Sequence, residues 1–432
     1  MAEACHIGVD VGTSGCRALA VDGGGGVLAR ASTAIPAPRR LGDAGVEQAA
    51  EVWWQALVRV LRELAGRLGG DRPATLCLDG TSGTLLLATA DGRPLGPALM
   101  YNDARARAEA ERIARLAPPE SPARGASGSL AKLLYLRDRL DPPSGTLALH
   151  QADWLLGRLT GRFGASDWNN ALKLGYDPAA ERWPGWLDGL ALGPVRLPEV
   201  LAPGTPLGGL CAKAAAATGL PLGLPVRAGT TDSTAAVIAA GARFPSDAVT
   251  ALGSTLVVKI LGRAPISAPE YGVYSHRFGD LWLIGGASNS GGAVLRQFFA
   301  DAEIERLSAA LRPEEPTGLD YYPLPAVGER FPVADARLAP RLTPRPAEDW
   351  RFLQGLLEGI AAVEAAGYAR LCALGAPAPQ QVLTIGGGAG NPAWTRIRER
   401  LLGVRVRPAA VQEAAYGAAL LGLWGGVPTP GC

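Results

Sequence analysis

The sequence opens with a glycine-rich turn between two apolar segments, a pattern suited to binding phosphate. Asp10 ends the first apolar segment, and Gly12, Thr13 and Ser14 follow it. Glycines leave the backbone N–H groups free to form a nest around an anion, and the two hydroxyl groups add donors. A carboxylate at Asp10 could hold Mg²⁺ through water, because this cation prefers oxygen ligands and keeps its hydration. An ordinary hairpin turn with a capping Asp is the alternative.

A second turn of the same kind lies far along the chain, again between two apolar segments. It comprises Gly253, Ser254 and Thr255, and it suggests two similarly built halves in which this turn binds the far phosphates of a nucleotide. A Walker-type phosphate loop requires a lysine directly after a glycine. None of the four lysines follows a glycine, so backbone amides and hydroxyls would have to hold the phosphates.

A third glycine cluster follows an apolar segment near the end of the chain, where backbone could approach a base or ribose closely. Its candidate residues are Gly386, Gly387, Gly388 and Asn391. A formal GxGxxA pattern ends at Ala393, so a Rossmann dinucleotide site is an alternative. That site would need an acidic residue at the end of the next strand, where this sequence has Arg407 and Pro408.

Asp232 stands at a predicted strand-to-helix junction, shortly before the second turn. A carboxylate there could accept the proton of a hydroxyl group that attacks a phosphoryl group. The alternative is a helix cap, a position where Asp is favoured.

The elements that must position these residues alternate along the chain, which predicts an α/β fold. The Pro-rich stretch 312–346 is predicted to be an extended connector or flap. Strands are predicted at 6–11, 16–21, 76–79, 84–89, 248–252, 256–261, 381–385 and 404–406. Helices are predicted at 48–68, 104–116, 129–140, 154–159, 350–374, 392–402 and 411–423.

Composition excludes several classes of protein. With 48% apolar and 19% charged residues in 432, the chain can bury a large core in two or three domains. A net charge of +2 without a basic block attracts neither nucleic acid nor an anionic membrane. Six scattered cysteines, together with no leader pattern and no long apolar run, favour a reducing, cytoplasmic location. His6, His150 and His276 receive no catalytic role, since His6 lies in a predicted strand and the other two have no visible partner.

The motifs together resemble the FGGY carbohydrate kinases, members of the actin-like, ribonuclease-H-like ATPase superfamily. The resemblance spans nearly the whole chain in the family's order. It covers the phosphate motif 6–15, the aromatic-Asn-Asp-x-Arg sugar motif 100–105, the first signature 127–136, and the segments 197–205, 229–232, 253–255, 386–389 and 408–419.

This resemblance implies an α/β protein of two actin-like ATPase domains facing a central cleft, a sugar-binding domain at 1–232 and a nucleotide-binding domain at 233–432. Helix 411–423 would be able to pack back on the first domain. ATP and Mg²⁺ are the implied cofactors, with Asp232 as catalytic base and Asp10 as a catalytic, metal-organising residue. The implied phosphate contacts are Gly12, Thr13, Ser14, Gly253, Ser254 and Thr255; the adenosine contacts are Gly386, Gly387, Gly388 and Asn391; the sugar contacts are Ser82, Tyr101, Asn102, Asp103 and Asp232.

Departures from the family pattern bear on the substrate. Tyr101 and Tyr135 stand where many members have Trp, the second signature is matched only at 355–360, and the chain is short. The loop 79–84 and the Tyr-Asn-Asp-Ala-Arg motif most resemble plant and cyanobacterial xylulose-kinase-like D-ribulose kinases. The implied substrate is a ketopentose, D-ribulose ahead of D-xylulose, and the protein a monomer or homodimer with no nucleic-acid or membrane partner. The alternatives are a kinase of another polyol such as glycerol, or an actin-like ATPase sensor without sugar transfer.

Overall fold

The computed structural model describes residues 4–69 and 72–427. The chain divides into two compact units, each described here by itself. The first comprises the described residues up to 239 together with 413–427, and the second comprises 240–412. The division after Ala239 lies a few positions past the predicted one at Asp232.

Twenty-one strands form in the described residues. They are β1 Ala4–Val11, β2 Gly15–Val21, β3 Val27–Ala34, β4 Arg39–Leu41, β5 Gly45–Gln48, β6 Arg72–Gly80, β7 Leu85–Ala88, β8 Ala98–Leu99, β9 Thr146–His150, β10 Ala165–Asp167, β11 Val195–Arg196, β12 Glu199–Leu201, β13 Pro206–Gly209, β14 Pro225–Arg227, β15 Thr230–Thr231, β16 Asp247–Leu252, β17 Leu256–Gly262, β18 Tyr274–Phe278, β19 Leu281–Ser288, β20 Gln381–Ile385 and β21 Arg405–Pro408.

Twelve α-helices accompany them within the same described ranges. They are α1 Ala50–Arg67, α2 Arg107–Ala114, α3 Ser129–Leu140, α4 Gln151–Thr160, α5 Trp168–Ala171, α6 Ala212–Thr218, α7 Asp232–Ala240, α8 Gly292–Leu295, α9 Asp301–Ser308, α10 Asp349–Ala373, α11 Pro392–Leu402 and α12 Ala414–Trp424. Short 3-10 turns lie at Pro122–Arg124, Leu172–Leu174, Gly185–Leu190, Pro269–Tyr271 and Gly387–Gly390. No helix of the described chain is both long and apolar enough to cross a membrane.

The main sheet of the first unit has the order β13-β14-β6-β1-β2-β3, with β15 also paired to β6. Strand β1 is antiparallel to β2 and parallel to β6. A second sheet, β11-β9-β7-β8-β5-β4, carries the loops that follow β6. The apolar face of α1, including Trp53 and Leu57, is buried in the core of this unit.

The sheet of the second unit has the order β18-β19-β17-β16-β20-β21. Strand β16 is antiparallel to β17 and parallel to β20, so it occupies the place that β1 has in the first unit. The two glycine turns therefore occur at equivalent positions in two sheets of the same design, and the predicted α/β class and repeated halves are confirmed. The antiparallel hairpins contradict the Rossmann alternative, which requires a mostly parallel sheet.

Helix α12 belongs to the first unit and packs against β1. A Cβ at Gly8 would collide with the backbone of α12 at Ala415 and Ala419, and a Cβ at Gly417 would collide with the carbonyl of Ala235 in α7. Only glycine permits backbones to approach this closely.

Several element predictions were wrong in detail. Helix α2 begins at Arg107 instead of 104, because the Asp103 carboxylate binds the Arg105 backbone N–H and holds the chain in a turn. Helix α12 begins at Ala414 instead of 411, since the Gln412 side chain is still bonded to Gly386. The hairpin β18–β19 was not predicted at all.

The Pro-rich stretch 312–346 contains no regular helix or strand, as predicted, but it is not a loose flap. Phe331 is buried in the core of the second unit. The Glu329 carboxylate accepts hydrogen bonds from Ser288 Oγ at 2.5 Å and from the Asn289 backbone N–H at 2.8 Å. These contacts fix the stretch to the end of β19.

Candidate active site

Three carboxylates lie at the ends of three parallel strands in the first unit. Asp10 of β1 is directly opposite Asp79 of β6. Thr230 of β15 also pairs with Asp79, and Asp232 follows this strand as the first residue of α7. Because parallel strands end at the same edge of a sheet, this register brings two predicted site residues together with a third carboxylate that the sequence did not single out.

Burial and mutual repulsion govern the charge of this group. Asp79 is fully buried, and its pKa is raised well above the usual range by burial first and then by Asp10 and Asp232. Burial also raises the pKa of Asp10, while the neighbouring Asp79 carboxyl group and the guanidinium of Arg17, 3.2 Å from Oδ2, oppose that rise. Burial and the neighbouring carboxylates therefore favour the protonated form of Asp79.

The turn Gly12-Thr13-Ser14 connects β1 to β2 beside this group. Gly12 N–H donates to Gly15 O at 3.0 Å, and Ser14 O accepts from Ile35 N–H at 2.9 Å, so the turn is held from both ends. The hydroxyls of Thr13 and Ser14 form no hydrogen bond within the described chain. The turn is a fixed set of donors next to a carboxylate.

The donor set determines what kind of cation could fit. No group of three or more metal-ligating side chains occurs in the described residues. Mg²⁺ in nucleotide sites keeps several waters and uses one or two carboxylates plus substrate phosphates. Asp10 beside the Gly12 turn fits that limited role, with most ligands supplied by water and nucleotide.

A cavity of about 990 Å³ in the second unit gathers most of the predicted nucleotide residues. Gly253, Ser254, Gly387, Gly388 and Asn391 line it, and apolar side chains including Ile304, Leu311, Leu357 and Trp394 form its walls. Thr255 and Gly386 are not among its lining residues. The mixture of apolar wall and backbone donors suits a base and its phosphates.

Gly388 and Asn391 of the third glycine cluster both have structural roles. A Cβ at Gly388 would lie 2.5 Å from Trp394 Cζ3, so only glycine lets the turn pack here. Asn391 Oδ1 accepts from Trp394 N–H at 3.1 Å and caps α11, while Nδ2 donates to Ser308 Oγ at 2.8 Å. The Asn391 carbonyl also accepts from Thr395 N–H at 3.0 Å, so both its side chain and its backbone stabilise the start of α11, and its contact with adenosine stays a prediction.

The predicted sugar-binding residues differ in their exposure and in their hydrogen bonds. Tyr101 is 42% exposed and Asn102 is also exposed, whereas Asp103 is fully buried. Asp103 Oδ2 accepts from Val46 N–H at 2.7 Å and from Arg105 Nη2 at 2.7 Å, and Oδ1 accepts from Arg105 N–H at 3.1 Å. Asp103 therefore shapes the loop, and its contact with a sugar remains a prediction. Ser82 Oγ, in contrast, has no partner among the described residues.

The prediction that His150 lacks a partner was wrong. Its Nδ1 lies 2.9 Å from Asp153 Oδ2, and its Nε2 lies 2.9 Å from Ser129 Oγ. The Asp three residues after His150 is a capping-box spacing that could have been recognised in the sequence. Ser129 could not have been found this way, since it is distant in sequence.

Comparisons with known proteins agree on the family. Residues 5–239 match the N-terminal domain, and residues 248–426 the C-terminal domain, of the FGGY family of carbohydrate kinases. The xylulose kinase of Escherichia coli (strain K12) is 27% identical over 413 residues, which cover 91% of this chain and 84% of that protein. The erythritol kinase of Brucella abortus is 32% identical over 251 residues, which cover 54% of this chain and 47% of that protein.

A solved xylulose kinase from Rhodospirillum rubrum has the same fold, with a TM-score of 0.84 and 26% identity over 96% of this chain and 89% of that one. The predicted pair of actin-like domains and the predicted kinase activity are confirmed by these matches. The chain belongs to the FGGY family of carbohydrate kinases and is an ATP-dependent sugar phosphotransferase.

Proposed function

We propose that this kinase phosphorylates a ketopentose, D-ribulose ahead of D-xylulose. The xylulose kinases among its relatives support a ketopentose. The preference for D-ribulose rests on the loop 79–84, which places Asp79 in the carboxylate group, and on the Tyr101–Arg105 motif.

The arrangement of Asp10, Asp79 and Asp232 carries the proposal. Asp232 accepts the proton of the attacking sugar hydroxyl, whose oxygen bonds to the γ-phosphorus of ATP while the bond to the bridging oxygen breaks and ADP leaves. Asp79, opposite Asp10 on β6, favours its protonated form. The Gly12-Thr13-Ser14 and Gly253-Ser254-Thr255 turns bind phosphate oxygens, and Gly387 and Gly388 contact adenosine. Mg²⁺, when bound beside Asp10, supplies charge neutralisation on the phosphates.

The test is an ADP-release assay with ATP and Mg²⁺ across pentuloses, hexuloses, glycerol, erythritol and inositols. The highest kcat/KM is expected with D-ribulose, followed by D-xylulose. The erythritol kinase match makes a tetritol the second candidate. A higher kcat/KM for erythritol or glycerol than for either ketopentose would contradict the proposed substrate.

We also propose a reducing, cytoplasmic compartment. The five cysteines in the described residues form no disulfide with one another. Unpaired cysteines are typical of proteins in reducing compartments.

A further inference from the structure

Lys132 of α3 is a buried lysine with an unusual partner. Its side chain has no solvent exposure, and its Nζ donates a hydrogen bond to the Gly83 carbonyl oxygen at 2.7 Å. It forms no ion pair within the part of the chain that the structure describes. A buried ammonium without a carboxylate is costly, so its presence needs an explanation beyond packing.

The Gly83 carbonyl belongs to the short loop between β6 and β7. At the other end of this loop, Gln151 Oε1 accepts from the Thr81 backbone N–H at 2.9 Å and from Thr81 Oγ1 at 2.8 Å. Gly83 itself has φ +85°, a conformation that other residues rarely adopt. Ser82 lies between these two anchors, and its hydroxyl is the one group of the predicted sugar set that is buried without a partner in the described chain.

The first turn of helix α3, which carries Lys132, is held by a contact with His150. Ser129, one turn earlier in α3, bonds to His150 Nε2. His150 Nδ1 lies 2.9 Å from Asp153 Oδ2, so the ring connects Ser129 on one side to Asp153 on the other. This chain of three buried side chains holds the first turn of α3 against the start of α4, and Lys132 therefore acts from a rigid base.

Burial and the nearby charges together disfavour the charged form of Lys132. Burial first, and then the ammonium of Lys173, lower the pKa of Lys132 to about 7, while Asp103 opposes the shift. The Cδ of Lys173 also packs beside Gly83. Two of the four lysines in the chain therefore converge on this single loop.

We propose that Lys132 is a positioning residue for the sugar: by holding the Gly83 carbonyl, it fixes the Ser82 hydroxyl in the orientation that binds a sugar hydroxyl. Lys132 does not touch the sugar itself. The proposal rests on the proposed sugar-kinase function, and it assigns the loop Gly80–Thr84 a rigid geometry set by Lys132 at one end and Gln151 at the other.

The experiment compares wild type, Lys132→Met and the exposed-lysine control Lys213→Met, measuring kcat, KM for D-ribulose, KM for ATP and the thermal midpoint at pH 6. Lys132→Met is expected to raise the sugar KM about 10- to 100-fold, the range for losing a hydrogen bond to a charged group. The KM for ATP stays within twofold, and the thermal midpoint is unchanged or higher because a buried ammonium has been removed. Lys213→Met matches wild type in all four.

A double-mutant cycle with Ser82→Ala identifies the path of the effect. If Lys132 acts through Ser82, Lys132→Met in the Ser82→Ala background adds less than a threefold change in sugar KM. A lower thermal midpoint with an unchanged sugar KM would show a merely structural lysine and overturn the proposal. If Lys132→Met does not fold, Lys132→Gln, which removes the ammonium but keeps a polar side chain, takes its place and must still raise the sugar KM. Wild-type protein with no sugar-dependent turnover would instead refute the proposed function.

Discussion

Replacing Arg398 by Met is expected to destabilise the second unit and to weaken ATP binding. Arg398 of α11 is 1% exposed and forms a paired contact with the fully buried Glu364 of α10, Nε to Oε2 at 2.6 Å and Nη2 to Oε1 at 2.7 Å. Its Nη1 also donates to Thr384 Oγ1 in β20 at 2.7 Å. Strand β20 and helix α11 flank the glycine turn at Gly387 and Gly388, so one side chain connects the two elements on either side of this turn, which lines the cavity proposed to bind the nucleotide.

The magnitude follows from the charge left behind. Removing one member of a buried ion pair costs about 3–5 kcal/mol, because the remaining charge is buried without compensation. Among the described residues, Glu364 would keep the hydroxyl of Thr250 as its one side-chain donor. The double variant Arg398→Met/Glu364→Gln leaves no buried charge, and the amide oxygen of the introduced glutamine can still accept the hydrogen bond from Thr250. It should therefore recover at least half of the stability lost in Arg398→Met.

The assay is urea unfolding, with the free energy of unfolding and its denaturant dependence fitted for each variant, and KM for ATP measured in parallel. Arg405→Met, on the exposed surface of β21, is the control and should stay within about 0.5 kcal/mol of wild type. A loss below about 1 kcal/mol for Arg398→Met, or a double variant no more stable than the single one, would refute the reasoning.

Three further predictions concern the reaction and the charges. Asp232→Ala should lower sugar-dependent kcat by about 10²-fold or more, the usual contribution of a general base, with ATP affinity by calorimetry within threefold of wild type. Gly388→Leu should raise the KM for ATP at least tenfold in the ADP-release assay, because its side chain meets Trp394, while the KM for sugar is unchanged. In the folded protein the pKa of Lys132 is lowered to about 7 from its ordinary value of 10.5. Between about pH 7 and pH 10.5 the unfolded chain therefore binds one more proton than the folded protein does. The free energy of unfolding of wild type relative to Lys132→Met should therefore rise over that range by up to roughly 1.4 kcal/mol per pH unit, and a flat difference would contradict the assignment.

The sequence predicted the parts of the fold that depend on local pattern. Helices α3 and α11 and strand β20 have their predicted bounds because apolar spacing and Pro392 define them without help from distant residues. Strand β5 was not predicted, and its last residue, Gln48, was predicted as the start of a helix, because the pairing of β5 with β4 and β8 is non-local. The periodicity of apolar residues predicts local elements, but it does not predict which strands pair with each other.

The candidate site was predicted where a motif is continuous in sequence and missed where it is assembled by register. The turns at Gly12 and Gly253 were predicted because each combines glycine with Ser and Thr between two apolar segments. The raised pKa of Asp79 follows from its burial and from its place opposite Asp10 on β6, which no local pattern reveals. Asp103 turns inward because Val46 and Arg105 are its partners, and Val46 lies on a strand far from it in sequence.

The central claim is that the protein transfers the γ-phosphoryl group of ATP to a ketopentose, with Asp232 as the base. Its most direct test is phosphorus NMR of wild-type protein incubated with ATP, Mg²⁺ and D-ribulose, with Asp232→Ala alongside. One pentulose phosphate is expected for each ADP, and both products should form at least about 10²-fold more slowly with Asp232→Ala. ADP accompanied by inorganic phosphate and no sugar phosphate, or undiminished sugar phosphate with Asp232→Ala, would contradict it.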